Sequence, residues 1–115
     1  MNEIENLRNQ LRTFAAERDW DQFHSPKNLA SALAVEAAEL LENFQWLTEA
    51  ESNQLPPETL AAVRAEVADV LLYLIRISDK LGIDLIAAAN AKIVLNAKKY
   101  PVDKARGNSK KYTEL

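Results

Sequence analysis

An all-α fold, a bundle of about four helices, is what this sequence predicts, on three observations. Helix formers dominate: Ala, Leu and Glu are abundant, and glycine occurs only 2 times in 115 residues. Apolar residues recur at helical spacing in the long stretches of the chain. Those stretches are divided by helix punctuation at Pro26, Pro56-Pro57, Gly82 and Pro101. The length is that of one domain, residues 1–115, and 48% hydrophobic content supports a real though small core. A chain of this size often completes its burial by homo-oligomerisation.

The first expected helix covers residues 3–18, with Ile4, Leu7, Leu11, Phe14 and Ala15 on its apolar face. Residues 19–28 break the pattern and read as a loop holding the sole histidine, His24. Trp20 and Phe23 in this loop have two readings, a hydrophobic plug or a wall on which an aromatic base stacks. His24 by itself is a weak functional signal, and its plainer reading is a structural or solvent-facing role. Asn28 is a good N-cap for a second helix over 29–47 that carries Trp46 near its end. Trp46 is either core or a second wall of the same pocket. Thr48 and Glu51 have the spacing of a capping box.

The third helix is expected from about 57 to 81, with Gly82 as its stop and Asp84 capping a fourth over 84–99. Between Val70 and Ile77 the third helix is apolar almost all round, which predicts burial on a second side against another subunit. Lys92, Asn96 and Lys99 form a polar stripe at i, i+4 and i+7 on the fourth. Residues 102–115 form a basic tail without periodicity, either an ordered cover or a loose end.

Two acidic pairs stand out: Glu36-Ala-Ala-Glu39 and Glu66-Val-Ala-Asp69. Each i,i+3 pair lies on one helix face. On a helical wheel, Leu29, Leu33, Ala37, Leu40 and Phe44 fall roughly 20–100° to one side of Glu36, and Glu39 about 60° to the other. Val63, Val67, Val70, Leu74 and Ile77 stand in nearly the same relation to Glu66, with Asp69 about 60° the other way. Both pairs therefore edge an apolar stripe, and packing the stripes together makes four carboxylates converge. Tyr73 falls between the azimuths of Glu66 and Asp69 and should face them. Such a cluster needs a proton or a divalent cation, and an all-oxygen set suits Mg²⁺ or Mn²⁺. The plainer reading of either pair alone is an ordinary solvated helix charge.

Charge is unevenly distributed. Residues 1–91 carry 7 Lys/Arg and 15 Asp/Glu, whereas residues 92–115 carry 7 and 2. The basic end suits a phosphorylated small molecule, while the overall net charge of −3 makes nucleic acid an unlikely partner. With no cysteine there is no thiolate site, and a reducing, cytoplasmic setting is expected. No apolar run is long enough to span a membrane. A di-iron carboxylate bundle is disfavoured, because its Glu-x-x-His motifs are missing.

The pattern Glu-x-x-Glu, 26 residues, Glu-x-x-Asp resembles the signature of the all-α nucleoside triphosphate pyrophosphohydrolases, the MazG-type superfamily. The flanks Phe14-Ala-Ala-Glu-Arg-Asp-Trp20, Phe23-His24, Phe44-Gln-Trp46, Ala68-Asp-Val-Leu-Leu-Tyr73, Lys99-Tyr-Pro101 and Lys110-Lys-Tyr-Thr-Glu-Leu115 look like its dCTP pyrophosphatase group. The resemblance implies a homodimer or homotetramer hydrolysing a nucleoside triphosphate to monophosphate and pyrophosphate with Mg²⁺. It implies Glu36, Glu39, Glu66 and Asp69 as catalytic metal ligands. Lys92, Asn96, Lys99 and Tyr100 become triphosphate or sugar contacts, with Arg106 and Lys111 weaker candidates. Trp20, His24, Trp46 and Tyr73 become the base and sugar pocket. Leu11 departs from the pattern: three positions before Phe14, animal members of the group carry a histidine against the base. The competing functional reading is a helical oligomer that binds nucleotides or another protein without catalysis.

Overall fold

The computed structural model describes residues 1–115 and contains helices and no strands. Six α-helices run in order: α1 (Glu3–Glu17), α2 (Pro26–Glu42), α3 (Glu49–Ser52), α4 (Pro57–Lys80), α5 (Leu85–Lys99) and α6 (Val102–Ala105). Short 3₁₀ turns occupy Asp21–Phe23 and Tyr112–Glu114. The all-α class and the four long helices agree with the sequence reading. The chain forms two compact units, Met1–Ile83 and Asp84–Leu115.

In the first unit, α4 packs against both α2 and α1. Ala15 of α1, Leu29 of α2 and Ile75 of α4 are its fully buried apolar residues. The helix ends follow local chemistry. Asn2 and Glu5 form a capping box at the start of α1, the Glu5 amide donating to Asn2 Oδ1 at 2.8 Å. At the end of α1, the Trp20 amide donates to the Ala15 carbonyl and the Asp19 amide to that of Ala16. This is a Schellman closure, with Asp19 at φ 54° where glycine is usual. Gly82, at φ 66°, serves the same purpose after α4. Thr48 and Glu51 make the expected capping box of α3.

Two boundaries differ from expectation. The second helix begins at Pro26, with Ser25 rather than Asn28 as N-cap: Ser25 Oγ accepts from the Asn28 amide at 3.1 Å. Proline at the first helical position sacrifices only an amide that would be unpaired anyway. Asn28 instead donates its side-chain amide to the Phe23 carbonyl at 2.9 Å, tying down the preceding loop. The same helix stops at Glu42, not 47. There the Asn43 side chain donates to the Glu39 carbonyl at 3.2 Å, competing for an acceptor the helical ladder would use. Phe44 and Trp46 consequently sit in a turn, and Trp46 is 87% exposed.

In the second unit, Asp84 caps α5 as expected, its Oδ1 accepting from the Ala87 amide at 3.0 Å. The segment after Pro101 carries order that periodicity did not reveal. Tyr112 meets Tyr100 edge-on at 6.2 Å between centroids, and Lys99 Nζ lies 4.8 Å over the Tyr112 ring. Ile93, Val94 and Leu95 of α5 are left exposed.

Leu29 is 1% exposed at the packing of α2 on α4. Leu29→Ala is expected to cost about 2–5 kcal/mol of unfolding free energy, read from urea denaturation.

Candidate active site

The packing of α2 on α4 brings three carboxylates together. Glu36, Glu39 and Glu66 can each offer an oxygen such that all three lie within 4.8 Å of one another. Each is only partly exposed. Glu36 Oε2 and Glu66 Oε2 are buried without a hydrogen-bond partner. No lysine or arginine forms a salt bridge with any of the three. Buried carboxylate oxygens need a donor, a proton or a cation, and these have no protein donor. Glu36 accordingly holds its proton more tightly, its pKa pushed up to about 7. The neighbouring Glu66 carboxylate, with which Glu36 can share that proton, contributes most, followed by burial and then Glu39, with the charge of Asp69 adding. Hard, partly buried oxygens without donors fit a small divalent cation such as Mg²⁺ or Mn²⁺.

Asp69 stands beside this trio and faces a different space. It lines a pocket of about 270 Å³ together with Trp20, His24 and Tyr73. Leu11, Phe14 and Leu72 supply apolar wall, and Arg76 closes the lining with charge. The Schellman turn at Asp19 delivers Trp20, whose ring meets Phe14 edge-on at 5.8 Å. Of the four expected pocket residues, the structure brings Trp20, His24 and Tyr73 together, and Trp46 is not part of this lining. Lys92, Asn96, Lys99 and Tyr100 belong to the second unit, where Lys92, Asn96 and Lys99 form the exposed stripe expected on α5.

Sequence reasoning missed Arg76 and its partners. Arg76 is buried, donating from Nη2 to Asp21 Oδ1 at 2.5 Å and from Nε to His24 Nδ1 at 3.1 Å. Lys80 Nζ also donates to Asp21, at 2.6 Å, and Arg12 grips Asp79 through two hydrogen bonds of 2.7 and 2.5 Å. Hydrogen bonding from Lys80 holds the Asp21 carboxyl below the ordinary range, and Arg12 does the same for Asp79. Burial, then the charge of Arg76, lowers the pKa of His24. A signal for Arg76 existed: Asp69, Leu72, Tyr73 and Arg76 stand at i, i+3, i+4 and i+7, one helix face.

Residues 32–115 match the MazG-like family. Dearer detail comes from individual relatives. The chain is 44% identical to human dCTP pyrophosphatase 1 over 114 residues, 97% of this chain and 67% of that protein. It is 41% identical to the bovine protein of the same name, over 97% of this chain and 68% of the relative. Its structure is similar to the crystal structure of a pyrophosphatase from Archaeoglobus fulgidus, with TM-score 0.82 and 39% identity, covering 88% of this chain and 94% of the other.

The raised Glu36 pKa links stability to pH. Below about 4.5 the carboxyl is protonated in both folded and unfolded chains, and no penalty arises. As pH rises from 4.5 toward 7 the unfolded chain ionises first, so stability falls, and above 7 the penalty is fully present. Metal-free Glu36→Gln should therefore gain in melting temperature over the parent as pH rises through that window. Taking the difference between the two proteins cancels the opposite trend from His24. A difference that is flat from pH 4.5 to 8 would contradict the shared-proton site.

Proposed function

The chain belongs to the MazG-like family, and from that premise we propose that it hydrolyses dCTP or a modified dCTP to the monophosphate and pyrophosphate, using Mg²⁺. The coarser statement, that it is a nucleotide pyrophosphatase, rests on its relatives. The observation that carries the finer one is the carboxylate trio with orphaned oxygens, next to an aromatic pocket that Asp69 also lines.

In this reading Glu36, Glu39, Glu66 and Asp69 hold the cation. When bound, Mg²⁺ would neutralise triphosphate charge and favour a nucleophilic water. The protein's own contributions are positional and electrostatic. Trp20 and Tyr73 offer ring faces to the base, and His24 a polar edge. Glu39 or Glu36 accepts the proton of the attacking water. Lys92, Asn96, Lys99 and Tyr100 keep the role the resemblance implies, contacts to triphosphate and sugar, with Arg106 and Lys111 as further basic candidates. Trp46 is assigned to the base by resemblance alone.

We take the working form to be a homodimer or homotetramer, which the exposed apolar residues of α5 support. No helix is long and apolar enough to cross a membrane. The proposed setting is the cytoplasmic nucleotide pool.

The decisive measurement is product identity on a panel of dNTPs and NTPs with and without Mg²⁺. Monophosphate plus pyrophosphate, formed only with the cation and fastest from a cytosine deoxynucleotide, is expected. Diphosphate plus phosphate would refute attack at the α-phosphorus. Glu39→Gln should lower kcat by at least about 100-fold while retaining the helical circular dichroism of the parent.

A further inference from the structure

The pocket places a histidine against a buried guanidinium, and that pairing has a definite chemical meaning. Arg76 Nε always carries hydrogen and can only donate. Its contact with His24 Nδ1 at 3.1 Å therefore requires a lone pair on that nitrogen. An imidazole accepting at Nδ1 is neutral and carries its proton on Nε2. No side chain of the protein takes up that Nε2–H, and His24 lines the pocket.

Arg76 is itself firmly placed. It is 6% exposed, its Nη2 is held by Asp21 at 2.5 Å, and its Nη1 lies 3.6 Å from Asp79, which Arg12 clamps from α1. Lys80 is the second cation on Asp21. Asp21 from the loop, Arg12 from α1, and Asp79 and Lys80 from α4 thus form one charge network with Arg76, of which Arg76, Asp21 and Lys80 act on the imidazole. The guanidinium has little freedom to turn its Nε–H elsewhere.

We propose that Arg76 is a positioning residue that fixes His24 in the Nε2–H tautomer, so that the pocket presents a permanent hydrogen-bond donor to an acceptor on the nucleobase. This deepens the base-pocket reading of the preceding section and rests on it for the nature of the ligand. The donor gives that reading chemical direction. Cytosine carries a ring-nitrogen acceptor at N3, where uracil and thymine carry N–H. A fixed donor aimed there attracts the first and leaves two hydrogens facing each other with the second. With apolar Leu11 in the same lining, the His24 imidazole, the Arg76 guanidinium and the Trp20 indole are the nitrogen donors of the pocket.

His24 is the only histidine in the chain, so its tautomer is directly readable in untagged, ¹⁵N-histidine-labelled full-length protein. Long-range ¹H–¹⁵N spectra near pH 7 should show a single Nε2–H tautomer. In Arg76→Leu the two ring nitrogens should move toward the exchange-averaged pattern of a free imidazole. Arg76→Lys, which keeps a positive charge but cannot reproduce the Nε–H direction, should do the same. A parent spectrum that is averaged or shows Nδ1–H, or one unchanged by either variant, overturns the proposal. In parallel, the ratio of kcat/KM for dCTP over dUTP should fall about tenfold in Arg76→Leu. Equal losses on both nucleotides would mean that Arg76 only supports the fold, and would overturn the proposal as well. Absence of turnover on any nucleotide would strike at the pyrophosphohydrolase reading, and the tautomer measurement would still decide the role of Arg76.

Discussion

Three carboxylates held within 4.8 Å are the constraint to which the rest of the first unit answers. Like charges at that separation resist the packing of α2 on α4, so burial elsewhere along the same helices has to hold them together. Leu29 and Ile75 supply that burial. The charges of the unit are sorted accordingly. Arg12, Arg76 and Lys80 neutralise Asp21 and Asp79, and none of them forms a salt bridge with Glu36, Glu39 or Glu66. The trio is left to be balanced by something from outside the chain, or by a retained proton. A site arranged this way gains affinity for a cation at the expense of the folded state that lacks one.

The pocket beside it depends on a different economy. Its walls come from α1, the loop after it and α4. The turn at Asp19 joins the first two, an aspartate accepting a left-handed conformation so that Trp20 can return against Phe14, and Asp21 ties the loop to Arg76 and Lys80 of α4. Asp69 links pocket and trio: it lines the first and its charge acts on Glu36 of the second. A base held by aromatic faces would thus be anchored alongside the acidic groups, with low-dielectric walls strengthening each polar contact.

Much of this was legible because helical rotation per residue is constant. The azimuths of Glu36, Glu39, Glu66 and Asp69 relative to their apolar stripes could be read without coordinates, and so could the stops and caps at Gly82, Thr48 and Asp84. Legibility failed where two local chemistries compete. Ser25 and Asn28 are both capping residues, and only the tolerance of the first helical turn for Pro26 decides between them. Asn43 ends α2 through its side chain, an event that hydrophobic periodicity does not register, and with it went the expected helical seat of Trp46. For Arg76 the helix face was legible but the role was not: its partners Asp21 and His24 lie 55 and 52 residues away, beyond any local pattern.

The early end of α2 also gives the molecule two indoles in unlike surroundings. Trp46 is 87% exposed on a turn, whereas Trp20 is 45% exposed and rests against an aromatic ring. These are the only two tryptophans in the chain. Their emission therefore separates two classes of event without any label. Filling of the pocket perturbs Trp20, while anything that covers the α2–α3 turn shifts the more exposed Trp46 to shorter wavelength and protects it from a soluble quencher.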